Sequence, residues 1–139
     1  MPGANLCITL TVKKIVVAED DTANRDLISE MLRGWGYDVV EARDGADALE
    51  KVEQSNPDLV LCDIQMPVLD GVGLVQALRR NHNFATLPVI ALTGFGLQDH
   101  EAIASAGFTT YQSKPLNSAL LKRNVERLLQ KGARDSKAK

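Results

Sequence analysis

The sequence predicts an α/β fold: a doubly wound, five-stranded parallel sheet in the order 2-1-3-4-5, covered by five helices. Three observations carry this. Short β-branched runs alternate with longer amphipathic stretches along the whole chain, the pattern of repeated βαβ units. Three of the runs, IVVA, LVLC and VIAL, are apolar throughout, as strands buried on both faces must be, while the second and fifth carry polar residues and suit the sheet edges. The 139 residues suffice for one packed core.

The elements follow in order. KKIVVAED (13–20) is strand one, ending in acids. TANRDLISEMLRGWG (22–36) is helical, with Leu27, Ile28, Met31 and Leu32 on one stripe and glycines 34 and 36 ending it. YDVVEA (37–42) is strand two, and DGADALEKVEQS (44–55) is helix two with Ala46, Leu49 and Val52 inward. DLVLCD (58–63) is strand three, followed by helix three, GVGLVQALRRN (71–81), with Val72, Val75 and Leu78 inward. LPVIALT (87–93) is strand four. LQDHEAIASAG (97–107) is a weak, alanine-rich fourth helix, and FTTYQS (108–113) a polar fifth strand. NSALLKRNVERLLQK (117–131) is the strongest helix, with Leu120, Leu121, Val125, Leu128 and Leu129 in register. This is the flavodoxin-like arrangement. Residues 1–12 form an extension of unknown role, 13–131 the domain, and 132–139 a polar tail expected to fray.

Composition narrows the function. The chain is 45% hydrophobic and 24% charged, with a net charge of −2, so nothing favours a nucleic-acid or anionic-membrane surface. No apolar run reaches the roughly 20 residues of a membrane span, and the N-terminus does not read as a signal peptide. Cys7 and Cys62 are far apart without metal-type spacing; Cys62 reads as a core residue, and a reducing compartment, the cytoplasm, is expected. His82 and His100 are isolated and are not expected to be ligands, Trp35 reads as packing at a helix end, and Lys122, Arg123, Arg127 and Lys131 read as a solvated helix face.

In a sheet of this kind ligands bind outside the carboxyl ends of the strands, near the switch in strand order. Strand one ends in Glu19, Asp20 and Asp21, strand three in Asp63, strand four in Thr93 then Gly94, and strand five in Lys114 then Pro115. Crowded carboxylates repel one another unless a cation is present, and Mg²⁺ suits oxygen ligands and accompanies phosphoryl groups. A carboxylate beside such a metal can act as a nucleophile and form an aspartyl-phosphate, with a threonine hydroxyl and a lysine ammonium on the other phosphoryl oxygens. Each residue has an ordinary explanation by itself: Asp20 and Asp21 could cap a helix, and Asp63 could belong to a turn. Together, all at strand ends, they point to chemistry.

At these residues the sequence resembles the receiver domain of two-component response regulators, over about residues 14–130. The stretches are IVVAEDDTANRDLI, PDLVLCDIQMPVLDG, PVIALTG and YQSKP. The resemblance implies a phosphoacceptor at Asp63, Mg²⁺ (Mn²⁺ is a possible substitute) on Asp20, Asp63 and the backbone carbonyl of Gln65, and Glu19 acting through water. It implies phosphoryl-binding and switch roles for Thr93, Lys114 and Tyr111, and a cis peptide between Lys114 and Pro115. Gln65, Gly94 and Phe95 are expected to tune access and phosphate lifetime. The helix 4, strand 5 and helix 5 face would shift on phosphorylation.

The implied partners are a histidine kinase or histidine phosphotransfer protein and a downstream protein target, with no nucleic acid and no membrane insertion. The implied chemistry is the domain's own phosphoryl transfer and dephosphorylation, not turnover of a separate substrate. Residues 132–139 leave no room for an effector domain, so the chain is expected to bind a partner, or to be a piece of something longer such as a hybrid histidine kinase. Departures are small: Glu19 replaces the commoner aspartate, Gly94 a frequent alanine, and Leu116 a frequent aromatic. A haloacid-dehalogenase-type phosphatase is the rival, but it would place a second aspartate at position 65 and its paired acids late in the chain. A receiver-like module that never takes phosphate is opposed by the full set of acids, Thr93 and Lys114.

Overall fold

A computed structural model of the chain describes residues 12–66, 68–94 and 100–138. Phe95, the extension up to residue 11 with Cys7, and the start of the expected fourth helix lie outside the described residues. The strands are β1 (Lys14–Ala18), β2 (Asp38–Ala42), β3 (Leu59–Asp63), β4 (Val89–Thr93) and β5 (Thr110–Ser113). The helices are α1 (Thr22–Gly34), α2 (Gly45–Ser55), α3 (Gly71–Arg80), α4 (His100–Ala106) and α5 (Ser118–Ala138), with a 3₁₀ turn at His82–Phe84. All pairings are parallel and the order is β2-β1-β3-β4-β5, as the distribution of polar residues predicts.

Because side chains alternate across a strand, the sheet separates two cores. Val16, Ala18, Val60, Cys62, Val89 and Ala91 face α2 and α3, meeting Ala48, Val52, Leu74, Val75 and Leu78. Ile15, Val17, Leu59, Leu61, Ile90 and Leu92 face α1 and α5, meeting Ile28, Leu32, Leu121, Val125 and Leu128. Every residue of β3 and β4 is buried, consistent with central strands. Tyr111 packs against the first core and Trp35 against the second.

Three residues expected inward point outward. Leu27 is 58% exposed and Leu120 46%, and Ala46 is also exposed. On α1 the buried stripe is Ile28, Ser29 and Leu32; on α2 it is Gly45, Ala48 and Val52. On α5 it is Leu121, Val125, Leu128 and Leu129, at i, i+4, i+7 and i+8. In each case the apolar set is wider than the strip that touches the sheet, so the residue one step off it is left in solvent. α5 continues through 132–138, where the sequence predicts a fraying tail; Ala133, Arg134, Lys137 and Ala138 are good helix formers.

On β5, Gln112 is buried beside Leu92 in register, and among the described residues neither amide atom finds a hydrogen-bond partner.

Candidate functional site

The strand ladders run one residue past the strands and so fix the residues that follow. Glu19 N–H donates to Ala42 O (3.1 Å), Ile64 N–H to Leu92 O (3.0 Å) and Lys114 N–H to Thr93 O (2.8 Å). Glu19 and Lys114 are thereby held as extensions of β1 and β5, and Asp63, the last residue of β3, is fixed by the bond from the residue after it. By pleat alternation Glu19 and Asp63 continue the face of Val17 and Leu61, and Lys114 continues that of Gln112. All three lie toward the α1/α5 side, whereas Thr93 falls on the opposite face with Tyr111.

Glu19, Asp63 and Thr93 are buried and Asp20 is exposed. One carboxylate oxygen from each of Glu19, Asp20 and Asp63 lies within 4.8 Å of the others. The Lys114 ammonium is 2.7 Å from Asp63 Oδ2 and 3.4 Å from Glu19 Oε1. Gln65 N–H donates to Asp63 Oδ1 (3.1 Å), which places the first loop residues over the carboxylate. Lys114–Pro115 is a cis peptide.

The electrostatics show a site short of positive charge. Burial, and next the Asp63 charge, push the Glu19 carboxyl up to about 7, against the opposing Asp21 N–H and Lys114 ammonium. Burial alone would lower the Lys114 ammonium, but its hydrogen bond to Asp63 and the charges of Asp63 and Glu19 raise it overall. One ammonium thus leaves Glu19 still reluctant to ionise. Three convergent carboxylate oxygens with that deficit fit a hard divalent cation, Glu19, Asp20 and Asp63 being the residues that would hold it.

The capping explanation for the acids after β1 does not hold. Asp21 occupies the N-cap of α1 yet makes no side-chain cap hydrogen bond. Asp44 and Asp70 do cap their helices, accepting from Asp47 N–H and Gly73 N–H at 2.8 Å each. Gly94 has open space where a Cβ would stand, so packing does not require glycine there. Sequence reading missed Arg25, whose guanidinium donates to Glu19 O (2.8 Å) and to Glu41 Oε1 (3.3 Å), tying α1 to the ends of β1 and β2. An arginine in the first turns of an amphipathic helix carries no signal that it reaches a neighbouring strand.

Fold and site together define a doubly wound α/β protein with an acidic pocket at the carboxyl edge of its sheet. The family model for the response regulator receiver domain matches residues 15–126, and the chain belongs to that family, the receivers of two-component signalling. It is 33% identical over 106 residues to the polar-differentiation response regulator DivK of Brucella ovis, covering 76% of this chain and 86% of that protein. Among solved structures it resembles the receiver domain of the sensor histidine kinase PA1611 from Pseudomonas aeruginosa, which holds a magnesium ion in its active-site cleft. That match has a TM-score of 0.81 and 36% identity, over 86% of this chain and 99% of the other. The chemotaxis protein CheY4 of Vibrio cholerae matches at a TM-score of 0.80 and 28% identity, over 85% and 99%. Among the described residues no helix is long and apolar enough to cross a membrane.

Proposed function

We propose that the chain takes a phosphoryl group from the phosphohistidine of a histidine kinase or histidine phosphotransfer protein onto Asp63, with Mg²⁺, and presents an altered surface to a protein target. The observation that carries this is the placement of Asp63: a buried carboxylate at the end of the central strand, grouped with Glu19 and Asp20 and already touched by the Lys114 ammonium. In the transfer an Asp63 oxygen forms the new bond to phosphorus, and the P–N bond breaks. Its electron pair stays on the imidazole nitrogen, which takes up a proton. Mg²⁺, when bound, supplies charge that offsets the carboxylates and the incoming phosphoryl oxygens. In this reading Lys114 exchanges part of its contact with Asp63 for a phosphoryl oxygen, Thr93 binds another through its hydroxyl, and the Gln65 N–H holds the attacking carboxylate.

The signal would pass through Thr93 and Tyr111, which share one face of the sheet on neighbouring strands, toward α4, β5 and α5. The chemistry is confined to the domain's own phosphoryl group. The buried Cys62 thiol, its pKa raised by burial and then by the Asp63 charge, is unreactive and compatible with a cytoplasmic setting.

Intact mass after incubation with acetyl phosphate and Mg²⁺, for wild type and Asp63→Asn, tests the reading. One added phosphoryl group in wild type alone is expected. No gain in wild type from either acetyl phosphate or a phosphorylated phosphotransfer domain overturns it.

A further inference from the structure

The β3–α3 loop carries Gln65, whose N–H holds Asp63, and is anchored on the first core by Met66, but the backbone at Val68 is not explained by the Val68 side chain. Val68 is left-handed, with φ 69°, and 83% exposed. A β-branched residue seldom adopts that conformation, and such strain persists only where the surroundings impose it. A side chain so exposed is not what imposes it; the restraint acts on the backbone around it.

Helix α2 supplies that restraint. A Cβ on Gly45 would lie inside the van der Waals envelope of the Leu69 carbonyl oxygen, 2.7 Å from the carbonyl carbon and 2.9 Å from Leu69 Cβ. These atoms are at the root of the residue, so no rotamer change gives way. Nor is α2 free to retreat, because Ala48 and Val52 on its inner face are buried in the core against the sheet, while Asp44 Oδ1 accepts from Asp47 N–H (2.8 Å) and fixes the helix start. On the far side the loop closes at Gly71, whose N–H donates to Ile64 O (2.9 Å). A Cβ at Gly71 would stand 2.6 Å from Asp63 O.

We infer that Gly45, which touches none of the acids, is a positioning residue for the phosphoacceptor site: its bare Cα lets α2 abut the Leu69 backbone and hold the loop where Gln65 restrains Asp63. The consequence for phosphorylation rests on the function proposed above; the geometry does not.

Two readouts on the full chain test this: hydrogen exchange at the Gln65 amide in metal-free protein, and the rate of phosphoryl uptake from acetyl phosphate with Mg²⁺. Gly45→Ala should speed Gln65 exchange about tenfold and slow uptake about tenfold, with exchange in β1 and β3 unchanged. Gly73→Ala is the control, since its Cβ meets side-chain atoms alone, the tip of Leu69 (Cδ1 at 2.5 Å, Cγ at 3.3 Å) and Asp70 Oδ1 at 3.4 Å, and it should stay within about twofold on both. Should Gly45→Ala fail to fold, Asp44→Ala decides, because it loosens the start of α2 that carries Gly45 and leaves the loop's own sequence unchanged. Faster Gln65 exchange with slower uptake supports the inference. Gln65 exchange within about twofold of wild type, or faster exchange with unchanged uptake, overturns it. If wild type takes up no phosphoryl group, the proposed function fails, and Gln65 exchange still decides whether Gly45 positions the loop.

Discussion

Lys114 and Asp63 are 51 positions apart in the chain, yet the ammonium lies 2.7 Å from the carboxylate, on a side chain 28% exposed. The pair is shared with Glu19 at 3.4 Å, so a single cation serves two buried acids.

Removing that cation should therefore cost more without metal than with it. Lys114→Ala is expected to lower metal-free stability at pH 8 by about 1–3 kcal/mol, since a buried carboxylate loses its partner. Saturating Mg²⁺ should recover most of the loss by binding the folded state. Urea unfolding with and without Mg²⁺ measures both. Phosphoryl uptake should stay at least about tenfold slow even with Mg²⁺, because the metal does not replace the ammonium on the phosphoryl oxygens.

Glu19 makes metal-free stability depend on pH. Its carboxyl is raised from 4.5 to about 7 in the fold, so the folded state binds more protons than the unfolded chain between those values. Its contribution is fully present below about pH 4.5 and is lost as pH rises through about 7, by about 3 kcal/mol at most. Thermal unfolding in chelator should show the decline. Adding Mg²⁺ should flatten it, with protons released on binding near neutral pH.

Asp63→Asn removes the charge that, after burial, does most to raise Glu19. The Glu19 carboxyl should then titrate closer to the ordinary carboxylate range. Side-chain carboxyl chemical shifts followed against pH would report it; an unchanged titration would mean that burial alone sets the value.

Gln112→Leu should stabilise the protein by about 1 kcal/mol, because it replaces a buried amide without partners by an apolar group facing Leu92. A rise in Tm with unchanged phosphoryl uptake is the expected result.

Much of this was legible in the sequence because strand ends are legible. An apolar run that stops at an acid, a threonine or a lysine says which residue stands at the rim, and the polar residues of YDVVEA and FTTYQS mark the edges. Glu19, Asp20, Asp63, Thr93 and Lys114 all emerge from that logic. The helix faces were read less well: Leu27, Ala46 and Leu120 fit an apolar stripe by spacing, but the width of the strip that touches the sheet is set by packing. Arg25 and Gly45 lay beyond reach for a different reason. Gly45 meets the Leu69 backbone, and Arg25 reaches Glu19 O as well as the Glu41 carboxylate; main-chain atoms have no identity in the sequence, and a pairing 16 positions away has no spacing signal.

The strand order gives the Lys114–Asp63 contact one more meaning. Asp63 ends β3 and Lys114 follows β5, with β4 between them, so the side-chain bridge passes over a strand to which neither residue belongs. It acts as a cross-brace on the open end of a fan, drawing the outermost strand toward the centre. Whatever changes the charge on Asp63 alters the tension in that brace, and the far margin of the sheet feels it without any ligand touching it.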